Sequence, residues 1–186
     1  KWAGSGKTDS LADSAACISE ALGLDSRIII GYKGAKESGL AVLRGEADAI
    51  VASAGTARKL AKSGLKPLVV LARNRASKLP DVPSIFELVD LAPERAWWID
   101  FWAGMSELGR AFAMAPEAPA ERIGYLSGVL ATILDSEAFR ADMAKSGYEV
   151  APMHPDGIRS LVATTLDSLA DGELERLEHV VFDKYY

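Results

Sequence analysis

The sequence predicts an α/β protein in which a parallel-sheet region is followed by a mostly helical C-terminal segment. Two observations carry this. Up to Ala72, short apolar runs alternate with stretches of helical periodicity, joined by links too short for anything but crossovers in a parallel sheet. Past Ala92 the helical period dominates.

Each element follows from its residues. Thr8 or Asp9 can cap a helix from about Ser10 to Leu22, whose apolar positions Leu11, Ala15, Ile18 and Leu22 recur at helical spacing before Gly23 stops it. Arg27 to Ile30 is a β-branched run between Asp25-Ser26 and Gly31, and reads as a fully buried strand. "GYKG" turns the chain into a helix, "AKESGLAVLRG", that ends at Gly45. "ADAIVAS" then reads as a strand, "AGTARKLAKSG" as a helix ending at Gly64, and "KPLVVLA" as another strand. Pro80 and Pro83 interrupt the pattern, the second placed to start a short helix. Beyond Ala92 come four helical segments, "PERAWWIDFWAGMSELG", "PAERIGYLSGVLATIL", "SEAFRADMAKSG" and "PDGIRSLVATTLDSL", with short strand candidates "AFAMA" and "YEVAP" between them. Trp97, Trp98 and Trp102 fit one helix and read as core packing. A composition shift between Gly104 and Gly109 divides the chain into 1–104 and 105–186.

Composition narrows the function. The chain has 186 residues, 49% of them apolar, enough to bury a core. Lysine plus arginine (21) fall short of aspartate plus glutamate (26), a formal charge of −5 that leaves no broad cationic surface for nucleic acid. The apolar runs are far below the ~20 residues that span a bilayer, so the reading is of a soluble protein. One cysteine, Cys17, forms no internal disulfide and reads as a small buried hydrophobe.

The chemistry starts at the N-terminus, where Gly4-Ser5-Gly6-Lys7-Thr8 resembles the end of a nucleotide-binding P-loop. That loop needs a glycine where Lys1 stands, a buried strand before it, and an acidic residue ending a second strand. Asp48 instead opens its strand, and "RIIIGY" ends with no acid. His154 and His179 sit beside no nucleophile or metal-ligand cluster, and no nucleophile elbow or paired-cysteine motif occurs. No catalytic residue, metal site or cofactor is expected, and the chain reads as a non-enzyme. Three loops do share a binding chemistry: Gly4 to Ser10, Gly31 to Lys36 and Ser53 to Thr56. Each follows a strand and precedes a helix, where unpaired N–H groups and the helix dipole favour an anion. Small residues and hydroxyls in all three describe a pocket for an anionic small molecule.

A family resemblance joins these pieces. "GYKGAKESGLAVLRGEADAIVASAGTARKLAKSGLKPLVVLARNRASKLPDVPSIFELV" and, later, "ELGRAFAMAPEAPAERIGYLSGVLATILDSEAFRADMAKSGYEVAPM" resemble the solute-binding receptor of tripartite tricarboxylate transporters over nearly the whole chain. The resemblance implies a fold similar to type II periplasmic binding proteins, with two α/β lobes holding a ligand between them. Residues 1–104 would be the second lobe, and 105–186 would return to complete the first. Members resembling this chain begin upstream with a signal peptide and most of the first lobe, so a C-terminal portion of a longer receptor is expected, with ligand binding weakened and the uncovered apolar surface available for self-association.

The implied ligand contacts are Gly4, Ser5, Gly6 and Thr8, then Tyr32 and Gly34, then Ser53 and Ala54. Lys7 and Lys33 are secondary, as charges able to pair with a carboxylate. Asp9 departs from the family pattern as an acid that repels a carboxylate or accepts from a ligand hydroxyl or amine. The reading is an extracytoplasmic, periplasmic receptor that hands a small organic carboxylate to membrane transporter subunits. The alternative is an intracellular effector-sensing domain of a transcription regulator.

Overall fold

Asp9 lies in extended backbone and caps the first helix, α1 (Ser10–Leu22), and Gly23 closes it in the left-handed conformation at φ 62°. These are the stop signals read from the sequence. The computed structural model that shows them describes residues 1–109, 111–146, 148, 150–167 and 169–186. α1 forms the spine of the core. Ala12, Ala15, Ala16, Cys17 and Ala21 are each at most 1% exposed, and these small side chains let neighbouring elements close on the helix. Burial, with Asp13 and Glu20 nearby, pushes the Cys17 thiol up to about 12, so it is a packing residue with no nucleophilic role.

The sheet is parallel and short. β1 (Trp2–Ala3) pairs with β2 (Ile28–Ile29), Trp2 opposite Ile28 and Ala3 opposite Ile29. On the other side of β1, Trp2 makes a single parallel bridge to Ala49, and a separate bridge joins Val70 to Ser84. The strand expected over Arg27 to Ile30 is thus two residues long, and "ADAIVAS" and "KPLVVLA" supply bridges where strands were expected. A strand extends only as far as a neighbour runs beside it, and β1 ends where Gly4 turns onto α1. A Cβ on Gly4 would stand 3.3 Å from that of Ala12, so a larger residue there would press on α1. "AFAMA" forms no strand either: Phe112 is 77% exposed, with no apolar layer to cover it. Of "YEVAP", residue 149 lies outside the described residues and the rest are irregular.

Helices α2 (Ala35–Leu43) and α3 (Ala54–Ala61) follow the second and third predicted loops. α4 (Ile85–Leu88) starts at a capping box in which the Ser84 hydroxyl accepts from Phe86 N and the Ser84 amide donates to Glu87. α5 (Pro93–Glu107) places Trp98 and Ile99 in the core, while Trp97 stacks on Phe101 with centroids 5.1 Å apart. α9 (Asp171–His179) runs into a π-helical turn, Val180–Lys184, which returns Val180 and Tyr185 to the core beside α1. The Tyr185 carbonyl accepts from Ile28 N at 2.7 Å, covering part of the free edge of β2.

The chain divides into two units. One comprises Lys1–Ser106 with Leu169–Tyr186 and contains the sheet and core. The other, Glu107–Ser168, holds α6 (Ala120–Asp135), α7 (Glu137–Lys145) and α8 (Pro155–Thr165). None of its described residues is buried.

Candidate functional site

Parallel pairing decides where the loops go. β2, β1 and Ala49 lie side by side and point the same way, so the chain leaves all three at one edge of the sheet. From that edge Gly4 to Thr8 leads to α1, Gly31 to Gly34 to α2, and Ser53 to α3. The first two loops are tied directly, Gly31 N donating to the Ser5 carbonyl at 3.2 Å. Ser53 caps α3 by accepting from Thr56 N at 3.4 Å, and Ala54 is the first residue of that helix.

The three helix ends differ in what they still offer. At α1 the Lys7, Thr8 and Ser10 amides meet no acceptor among the described residues, while Asp9 takes five donors. Its Oδ2 accepts from Ser5 N at 2.8 Å, from Gly6 N at 2.5 Å and from the Ser5 hydroxyl, and its Oδ1 from Leu11 N at 2.6 Å and Ala12 N at 3.2 Å. Burial works against the charge on Asp9, but the bonds from Ser5, Ala12, Leu11 and Gly6 outweigh it and hold the carboxyl below its ordinary value. At α2 the cap is Gly34, at φ 88°, which only glycine adopts freely and which has no side chain to offer. The Ala35, Lys36 and Glu37 amides there meet no acceptor among the described residues, while Glu37 reaches back to Lys33 N at 2.6 Å. Tyr32 stands beside this end, its hydroxyl 3.4 Å from Glu46. The Lys33 and Lys36 side chains are exposed there.

Lys7 is engaged elsewhere. Its ammonium donates to the Phe182 carbonyl at 2.9 Å and lies 4.7 Å from the centre of the Tyr186 ring. With Arg27, Ile28 and Ile30 it lines a cavity of about 480 Å³ that takes in no other predicted contact residue. Thr8 is exposed beside it. Two groups near α1 escaped the sequence reading. Asp13 Oδ1 and the Tyr186 hydroxyl are buried with no hydrogen-bond partner among the described residues. Burial, reinforced by Asp9, pushes Asp13 up to about 6; burial, reinforced by Asp13 and Asp9, pushes Tyr186 up to about 12. Nothing local signals either, because the contact closing the C-terminus over this loop joins residues 175 apart in sequence.

The family model of the tripartite tricarboxylate transporter family receptor, TctC, matches residues 1–169. The chain belongs to this family. The receptor is therefore a periplasmic solute-binding component that works with membrane transporter subunits, from a family of binding proteins and not of enzymes. Among the described residues no helix is long and apolar enough to cross a membrane. None of the curated proteins compared with the receptor matches it significantly.

Proposed function

We propose that this receptor captures a small organic carboxylate at the edge where its parallel segments end, in a lobe of the type II periplasmic-binding-protein kind formed by residues 1–104, with the chain after it returning to the other lobe before Leu169–Tyr186 packs back onto the first unit. The observation that carries the reading is the open N-terminus of α2, whose amides at Ala35, Lys36 and Glu37 face no acceptor among the described residues. A carboxylate there accepts charge-assisted hydrogen bonds and meets the positive end of the helix dipole. Tyr32, Lys33 and Gly34 frame it. Ser53 and Ala54 bound it from α3, and Gly4, Ser5, Gly6 and Thr8 from α1, with Lys7 turned to the C-terminus. Binding stabilises whichever conformation holds the ligand better, which is how a receptor reports occupancy to its transporter.

Ala35→Pro tests this directly. Proline is favoured at the first helical position, where its fixed φ suits the helix, so the fold is kept while one free donor is removed. Calorimetric titration with citrate and other di- and tricarboxylates should show binding to the wild type and a dissociation constant about tenfold weaker in Ala35→Pro, the loss of one charge-assisted bond. A wild-type chain that binds none of them, or a variant that binds unchanged, removes α2 from the site.

A further inference from the structure

Charge is unevenly placed along the chain. Residues 49–80 carry seven lysines and arginines and no acid, which leaves the rest of a chain of formal charge −5 more acidic still. Two of the seven are held in ion pairs, Arg73 with Asp100 and Arg75 with Glu87, both at 2.6 Å. Arg58, Lys59, Lys62 and Lys66 are exposed and meet no carboxylate among the described residues. Packing against α2 decides where α3 points them. Leu60 lies so close to α2 that a Cβ on Gly39 would stand 2.7 Å from one of its methyls. Arg58 and Lys62 sit about 200° around the helix from Leu60, and both face outward. Where α2 ends, Leu43 is 44% exposed beside Gly64, and farther along the chain Leu68 is 65% exposed. A helix dipole favours cations in the last turn, which accounts for Arg58 and Lys59. It accounts for neither the missing acids nor the exposed leucines.

We propose that the outer face and C-terminal end of α3, with Leu43 beside it, form a docking surface for an acidic patch on the membrane transporter subunits. Charge complementarity names the partner. Loops on the extracytoplasmic side of a membrane protein are poor in lysine and arginine, so acids there stand uncompensated. A local cluster of unpaired cations steers encounter with such a surface, and the leucines supply apolar contact once the two meet. α3 leaves the proposed ligand edge at Ser53 and ends about 12 Å further on, so docking and ligand capture use different ends of one helix. Docking of this kind needs no carboxylate at α2.

The test uses the full chain and the transporter's membrane subunits reconstituted in lipid nanodiscs. Biolayer interferometry follows association and dissociation in about 50 mM and about 300 mM sodium chloride. The wild type should associate about tenfold faster at the lower salt. Arg58→Glu/Lys62→Glu should lose about tenfold in association rate there, together with most of its salt dependence. Arg58→Gln/Lys62→Gln, which removes the two charges without reversing them, should lie between it and the wild type. Leu43→Gln should speed dissociation several-fold and leave association unchanged. Three results each overturn the proposal: unchanged association in both double variants, no binding by the wild type at either salt, or equal binding to phosphatidylglycerol nanodiscs that lack the subunits.

Discussion

Asp9 and Asp13 lie one helical turn apart on α1 and respond to pH in opposite directions. Asp9 is held ionised by its donors, so its contribution is present above the ordinary carboxylate pKa and is lost as pH falls through its lower folded value. Asp13 has burial against it, with Asp9, Cys17 and Tyr186 around it and no donor for its buried Oδ1. Its pKa rises from 3.8 to about 6, so between those values the folded chain holds a proton that the unfolded chain releases. Stability therefore falls as pH rises across that window and stays lowered above it. Asp13→Asn removes the titration and keeps the shape. It should melt a few degrees above the wild type at pH 7.5, with each kcal/mol worth roughly 2–4 °C in a chain this size. The gap should close below about pH 4, where the native aspartate is neutral in both states. Thermal unfolding followed by circular dichroism from pH 3.5 to 8 checks this, and a gap independent of pH contradicts it.

The C-terminal strap is joined to α1 by one acid. Glu20 accepts from Lys184 Nζ at 2.5 Å, from the Tyr185 hydroxyl at 2.8 Å and from Arg176 at 3.4 Å, with its side chain 14% exposed. Burial raises its pKa, but these partners outweigh that and hold it below the ordinary value. Glu20→Ala leaves the Tyr185 hydroxyl without its acceptor and should cost about 1–3 kcal/mol. Urea unfolding measures that loss, and hydrogen exchange should speed first in α9 and the π-helical turn; an unchanged midpoint and unchanged exchange contradict it. The elements legible in the sequence were those whose signals are local. α1 showed because Asp9 and Gly23 mark its ends, and α2, α3 and α5 to α8 because their apolar residues recur within a few positions. The strands were overestimated because an apolar run records burial but not the length of its partner: Val69 and Val70 read as strand interior, yet Val70 forms one isolated bridge, opposite Ser84, through bonds to Pro83 and Ile85. α9 and the turn after it were not foreseen, since a charged stretch such as "ELERLEH" carries little apolar pattern and the turn after it packs on α1, far away in sequence. The same divide runs through the site. Gly, Ser and Thr marked the three loops, and Asp9 was legible as a cap, but its second oxygen turning back to Ser5 and Gly6 depends on a loop curvature that no spacing records.

Across the whole chain, burial is unevenly shared. α1, Trp98, Ile99, Val180 and Tyr185 share one core in the unit Lys1–Ser106 with Leu169–Tyr186. The unit Glu107–Ser168 has no buried residue among those described, and α6 presents Ile123, Leu126, Val129 and Ile133 at 37% exposure or more. A helix draws most of its stability from burying an apolar face, so helices without one open more readily than those built into a core. α6, α7 and α8 satisfy their backbone internally but gain little from packing. Hydrogen exchange at neutral pH should therefore separate the two units: amides of α6 to α8 should exchange at least tenfold faster than those of α1 and α5, by local opening that leaves the core intact. Peptide-resolved mass spectrometry measures this without any ligand. Equal protection throughout the chain would mean that the exposed face of α6 is covered in solution. That would contradict the low local stability inferred from its exposure.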